Sequence, residues 1–228
     1  MRRALQALSS LYVERRGKIA GGGALCGAGK RAAFALFYGP VHFLTVRSVV
    51  RELEAARPAP DHILDLGCGT GAAGAAWALQ AGAGCEIVGI DRSEWALGEA
   101  RWTWRTLKVR GRAVMGDLSR ARMPGRGGAV LAAWVLNELA EAAREAALER
   151  LAGCGRDGCR VLVVEPVSRR LSPWWPKARA LFESAGGRAD EWRFRAELPG
   201  PIARLDTAAG LDHRELTARS LWLDGGEA

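Results

Sequence analysis

The segment Asp65-Leu66-Gly67-Cys68-Gly69-Thr70-Gly71 ends a short apolar run with an acid and three alternating glycines. Glycine permits positive φ in a tight turn and lets a ligand approach the bare backbone. The alanine-rich residues 72–79 read as a helix, whose N-terminus adds partial positive charge beside that loop. Two more acids follow later apolar runs: Asp91 after residues 86–90, and Asp117 after residues 112–116. A carboxylate in the position of Asp91 can accept hydrogen bonds from both hydroxyls of a ribose. Taken singly, either acid reads equally well as a solvated loop residue or a helix cap. Their shared position after successive strands points instead to a nucleoside-type ligand.

Two cofactor classes compete for the loop. Gly69, Gly71 and Gly74 spell the G-x-G-x-x-G of a dinucleotide site, with Asp91 at the spacing of a ribose-binding acid. Read as D-x-G-x-G-x-G, however, Asp65, Gly67, Gly69 and Gly71 resemble the first motif of class I S-adenosylmethionine (AdoMet) methyltransferases. A carboxylate at Asp65 would repel a pyrophosphate and suits a ligand carrying an ammonium group. The resemblance implies that Asp65 serves the cofactor's amino-acid end, Asp91 the ribose and Asp117 the adenine amino group. Cys68, Arg92, Leu118 and Trp134 are the neighbouring candidates for cofactor contact.

AdoMet carries an electrophilic methyl, so the protein's task is to align a nucleophile and exclude water, with a base only where a proton must leave. The fourth strand, expected at 129–135, runs into Trp134-Val135-Leu136-Asn137-Glu138-Leu139. It lacks the Asp/Asn-Pro-Pro-aromatic motif of amino-directed enzymes, and no Pro-Cys pair is present for attack on a pyrimidine carbon. Asn137 and Glu138 are candidates to orient an acceptor, with Glu165 as a base or polar wall; a helix cap and first-turn acid explain the first two equally well. Trp134 lines a pocket or fills the core. The runs Leu136-Asn137-Glu138-Leu139, Val164-Glu165-Pro166 and Tyr12-Val13-Glu14-Arg15-Arg16 resemble the methyltransferase-like family associated with assembly of the mitochondrial small ribosomal subunit, and its bacterial relatives. That resemblance implies RNA or a small ribosomal subunit as partner. The family's cysteine-rich iron–sulfur segment has no counterpart in this sequence. A non-catalytic assembly factor and a small-molecule methyltransferase, the latter with Trp134, Trp174 and Trp175 lining a lidded pocket, are the alternatives.

The elements that must position these residues follow from patterning. Strands alternating with helices imply an α/β, Rossmann-like doubly wound sheet of the class I methyltransferase type, mostly parallel, with one antiparallel strand near the C-terminus. Strands are expected at 161–164, 192–195 and 220–223, and helices at 137–151 and 176–185. A basic helical extension, residues 1–57, precedes the AdoMet-binding domain, residues 58–228. Within it residues 1–16 read as a helix, 17–29 as a glycine-rich mobile stretch, and 41–56 as a helix. Its first 51 residues hold nine cations against the single acid Glu14, so the whole net charge of +8 resides there and the remainder is neutral. Such concentration suits a phosphate-rich partner, or a plain arginine-rich solvated face. The most apolar stretch, 32–44, is short and interrupted by Gly39-Pro40, so no membrane span is expected; a cytoplasmic location follows. Five scattered cysteines form no disulfide framework, and Cys154 and Cys159 lack the further ligands of a metal site.

Overall fold

The computed structural model describes Arg3, residues 27–168 and residues 170–226. The expected helix at 1–16 and most of the glycine-rich stretch lie outside the described residues. Seven strands form one sheet in the order β3-β2-β1-β4-β5-β7-β6. They are β1 (His62–Leu66), β2 (Glu86–Asp91), β3 (Arg110–Met115), β4 (Ala129–Ala133), β5 (Arg160–Glu165), β6 (Arg188–Arg195) and β7 (Glu215–Leu223). The first five run parallel, whereas β7 is antiparallel to both β5 and β6. This is the doubly wound class I methyltransferase arrangement, and the chain's direction of travel across the sheet reverses between β1 and β4. Open α/β sheets bind ligands in the crevice outside such a switch point.

The central strands Ile63–Leu66, Ala129–Leu131 and Val161–Val164 are buried on both faces, as parallel strands flanked by helices must be. Helices α2 (Ala72–Ala81), α3 (Glu94–Thr106), α4 (Glu141–Arg156) and α5 (Trp175–Ser184) supply the cover. In α2 the small residues Ala72–Ala76 let the backbone lie close to β1, and Trp77 anchors it by donating to the Ala55 carbonyl at 3.1 Å.

Helix α1 (Ala28–Glu52) runs straight through Gly39-Pro40, contrary to the interruption expected there. Residues Phe34–Tyr38 are wound as a π turn, in which the Gly39 N–H reaches back to Phe34. Pro40 thus falls at the first turn of the α-helical segment that follows, where its missing N–H does no harm. By length and composition α1 could cross a membrane, yet half of its apolar window is buried inside this domain. An unexpected helix, α6 (Gly200–Ala209), is inserted between β6 and β7. Its Ile202 and Ala209 join Ala33, Phe34 and Phe37 of α1 in a small core of their own, apart from the two cores flanking the sheet.

Candidate active site

The glycine loop follows β1 at the switch point, and three of its residues hold positive φ: Gly67 (66°), Gly69 (52°) and Gly71 (74°). Each glycine answers to a different neighbour. A Cβ on Gly67 would lie 2.3 Å from a methyl of Val135, so the β1 loop and the β4 loop interlock. A Cβ on Gly71 would lie 2.6 Å from the indole nitrogen of Trp104, which donates to the Gly71 carbonyl at 2.9 Å. A Cβ on Gly69 would enter the gap between the loop and the Phe34 ring, 3.5 Å from its edge.

Gly74 decides between the two glycine patterns. A Cβ there would lie 2.6 Å from an Asp65 oxygen, and the Gly74 N–H donates to that oxygen at 3.1 Å. This glycine therefore makes room for a carboxylate and not for a pyrophosphate. Asp65 lies beneath the loop, 1% exposed, instead of at the rim with the other two acids. Its position in β1 turns it toward α2, and burial pushes its carboxyl up to about 7, opposed by the Gly74 N–H and reinforced by Asp91. Cys68 is buried beside it, and burial together with Asp65 and Asp91 raises its thiol well above the ordinary value.

Asp91 ties the loop to β2. One carboxylate oxygen accepts from Gly69 N–H at 2.9 Å and the other from Ser93 N–H at 2.8 Å. Each oxygen keeps acceptor capacity for a ribose hydroxyl. Asp117 accepts from Ser119 N–H at 2.8 Å and pairs with Arg92; the Ser119 bonds first, and Arg92 after them, hold its carboxyl down near 2. That ion pair is solvent-exposed and adds little stability. Leu118 is buried directly behind it. The donor set fits AdoMet: an acid under the loop, an anchored acid at the ribose position, an exposed acid beyond it, and a recess at Gly69 that any side chain would fill.

Trp134 stands at the end of β4 with φ 56°, a conformation that costs a non-glycine residue about 1 kcal/mol or more. Its ring stacks on His42 of α1 at 3.8 Å with planes 10° apart. Phe34 meets His42 edge-on at 6.0 Å, and Tyr38 lies 6.2 Å away. Burial lowers the His42 imidazole to about 3, so it stays neutral. Of these rings Phe34 reaches the glycine loop, 3.5 Å from where a Gly69 Cβ would lie.

Glu165, expected as a base or polar wall, is instead buried beneath the turn that carries Asn137 and Glu138. Glu165 is 0% exposed and accepts from Leu136 N–H at 3.0 Å, Asn137 N–H at 3.3 Å and the Asn137 side-chain amide. The Asn137 side-chain oxygen accepts from Trp174 at 2.9 Å, and its amide nitrogen donates to Ser172 at 3.0 Å. Arg219 stands directly opposite Glu165 in the β5–β7 register. Asn137 and Glu138 do not cap a helix: they form a separate 3-10 turn, Leu136–Glu138, and α4 begins only at Glu141. Glu165 needs those turn N–H groups, which holds the segment out of the helix. Cys154 and Cys159 are both buried thiols, with Cys154 facing the Pro124 carbonyl at 3.5 Å.

Residues 63–158 match the family model of the methyltransferase domain. The chain carries a class I AdoMet-dependent methyltransferase domain. Similar solved structures include magnesium protoporphyrin IX methyltransferase from Synechocystis PCC 6803 with bound S-adenosylhomocysteine (TM-score 0.53, 18% identity, 92% of this chain and 95% of that one). Mitomycin 7-O-methyltransferase MmcR is similar over 94% of this chain and 59% of its own, with TM-score 0.56 and 18% identity. An O-methyltransferase family protein from Burkholderia thailandensis gives TM-score 0.58 at 14% identity, over 94% and 62%. At such identities the likeness is one of fold. No curated protein sequence matches. The methyltransferase's cofactor is AdoMet, which supplies the electrophilic methyl group.

Sequence reasoning missed Trp104, His42 and Phe34. Trp104 left a trace: Gly89 and Gly111 interrupt β2 and β3, and a Cβ on either would strike its ring at 2.6 and 2.9 Å. His42 and Phe34 left none, because their approach to the loop depends on how α1 crosses the sheet.

Proposed function

We propose that this methyltransferase acts on RNA. The supporting observation is a ridge of cations on the edge strand β3 and its flanks. Residues 108–126 contain six cations and only Asp117 as an acid. Arg105, Lys108, Arg112, Arg120 and Arg122 are exposed, and their side chains have no ion pair or hydrogen bond among the described residues. Arginines on an edge strand also deter sheet-to-sheet pairing; five such cations, with Trp102 of α3 also exposed (59%), go beyond that need and suit a phosphate backbone with a stacking base. The neutral remainder of the chain is thus polarised, and the basic residues 1–51 are not the sole basis for RNA binding. In this reading Asp91 holds the ribose of AdoMet, and Asp117 with Arg92 flanks the adenine. Asn137 and Glu165 act as positioning residues that fix the turn after Trp134, and Glu138 faces the acceptor. Ribosomal RNA is the first acceptor to try, given the resemblance of the Asn137 and Glu165 segments.

The test pairs RNA binding at several salt concentrations with methyl transfer from labelled AdoMet into fractionated lysate. The triple variant Arg112→Glu, Arg120→Glu, Arg122→Glu should weaken binding and flatten the log–log salt slope by ~2, at about 0.7 per phosphate. Unchanged binding, or label found only in low-molecular-weight components, rejects the proposal. The latter result favours a second reading, a small planar acceptor, for which the aromatic cluster of Phe34, Tyr38, His42 and Trp134 speaks.

A further inference from the structure

We infer that Trp134, with His42 and Phe34, forms an aromatic recess for the positively charged sulfur of AdoMet, so that the protein holds the cationic cofactor more tightly than its neutral thioether product. The inference concerns the cofactor and does not depend on the acceptor.

Asp91 and Asp117 claim the adenosyl end of the ligand at β2 and β3, so the sulfur and amino-acid portion must extend toward β1 and β4. There the interlock of Val135 with Gly67 sets Trp134 directly beside the glycine loop. On the other side of the loop stands Phe34, 3.5 Å from where a Gly69 side chain would begin. His42 bridges the two, stacked on one ring and edge-on to the other. A cation is attracted to the faces of such rings, most strongly when water is excluded.

Three observations distinguish this arrangement from ordinary core packing. First, Trp95, Phe43, Trp174 and Trp175 each carry an arginine guanidinium over the ring, at 5.3 to 5.9 Å. Trp134 carries none among the described residues. Second, Trp134 is held at positive φ, where a bulky residue is rare and a glycine would sit without strain. Third, the central ring is a histidine whose nitrogens have no hydrogen-bond partner among the described residues, although phenylalanine would dock α1 as well. The environment that keeps the imidazole neutral also prevents it from repelling a cation. When the methyl leaves with neither electron of the S–C bond, sulfur becomes a neutral thioether and this attraction is lost.

The test measures binding of three ligands to the full-length protein by calorimetry. They are AdoMet, S-adenosylhomocysteine, and the analogue in which a carbon-borne ammonium replaces the methylated sulfur. Both cations should bind about tenfold more tightly than the thioether, as one desolvated cation–ring contact allows. In Trp134→Leu the cations should lose about tenfold while the thioether stays within about twofold; Phe34→Leu should act in the same direction. Thioether binding as tight as AdoMet binding in the wild type overturns the inference. So does an equal loss for all three ligands in Trp134→Leu, which would mark a structural role. If that variant fails to fold, the wild-type comparison alone decides. Binding of none of the three would instead strike the cofactor assignment itself.

Discussion

Asp65 and His42 titrate in opposite senses across the same pH range, and separating them tests the packing around the glycine loop. Burial raises Asp65 from 3.8 to about 7. The folded chain therefore keeps a proton that the unfolded chain has released, and stability falls as pH climbs from about 4 to about 7. At about 1.4 kcal/mol per pKa unit the full amplitude is ~4 kcal/mol. His42 is lowered from 6.5 to about 3. Here the unfolded chain takes up a proton that the folded chain refuses, so stability falls as pH drops from about 6.5 toward 3, with a similar slope. The two contributions cancel between about pH 4 and 6.5. Asp65→Asn, which can still accept from Gly74 N–H, unmasks His42: relative to wild type it should gain ~3 kcal/mol between pH 4.5 and 7.5. His42→Phe unmasks Asp65 and should lose its advantage over wild type as pH rises to 6.5. Urea unfolding at constant ionic strength, at one-unit steps from pH 4.5 to 7.5, reads both differences. An Asp65→Asn difference curve that is flat within about 1 kcal/mol would refute the reasoning, because Asp65 would then ionise as an ordinary exposed acid. A cation near the carboxylate favours its ionised form, so AdoMet affinity should rise through pH 7 in the wild type and not in Asp65→Asn.

Gly71→Ala forces a methyl against Trp104 at φ 74° and should cost more than about 2 kcal/mol by thermal unfolding, along with AdoMet binding. Trp104→Phe removes the hydrogen bond to Gly71 and leaves a void, and should lose about 2 kcal/mol with weaker but measurable AdoMet binding. Glu165→Gln presents an amide N–H to the Asn137 amide, which Trp174 prevents from flipping; about 2–3 kcal/mol of stability should be lost, seen in denaturant midpoints.

Much of the site was legible because loop, acids and strands are local in sequence. Asp91 and Asp117 fall at the ends of β2 and β3, and the glycine loop directly follows β1. What escaped depends on tertiary geometry. Asp65 was expected at the rim, but strand alternation alone did not reveal that Gly74 opens a buried seat for it beneath α2. Helix α3 went unread although Ala96, Leu97, Ala100 and Trp104 form its buried face, because no local motif drew notice to them. Helix α6 follows Pro199 and buries only Ile202, Asp206 and Ala209, so little in the sequence sets it apart from the strands on either side. The charge count over residues 1–51 was correct as arithmetic, yet a neutral sum over the rest concealed the β3 ridge. Sequence totals average over faces that folding separates.

The small third core joins helix α1 to the inserted helix α6, and its Phe34 ring stands against the glycine loop. Among the described residues its buried members are Ala33, Phe34, Phe37, Ile202 and Ala209, few enough to part without disturbing the sheet. Segments with so little buried apolar surface open at a fraction of the global unfolding free energy. Turnover of bound nucleoside would then be timed by a hinge-like release of this clasp, and amide exchange in α6 should quicken or slow with ligand while the central strands remain silent.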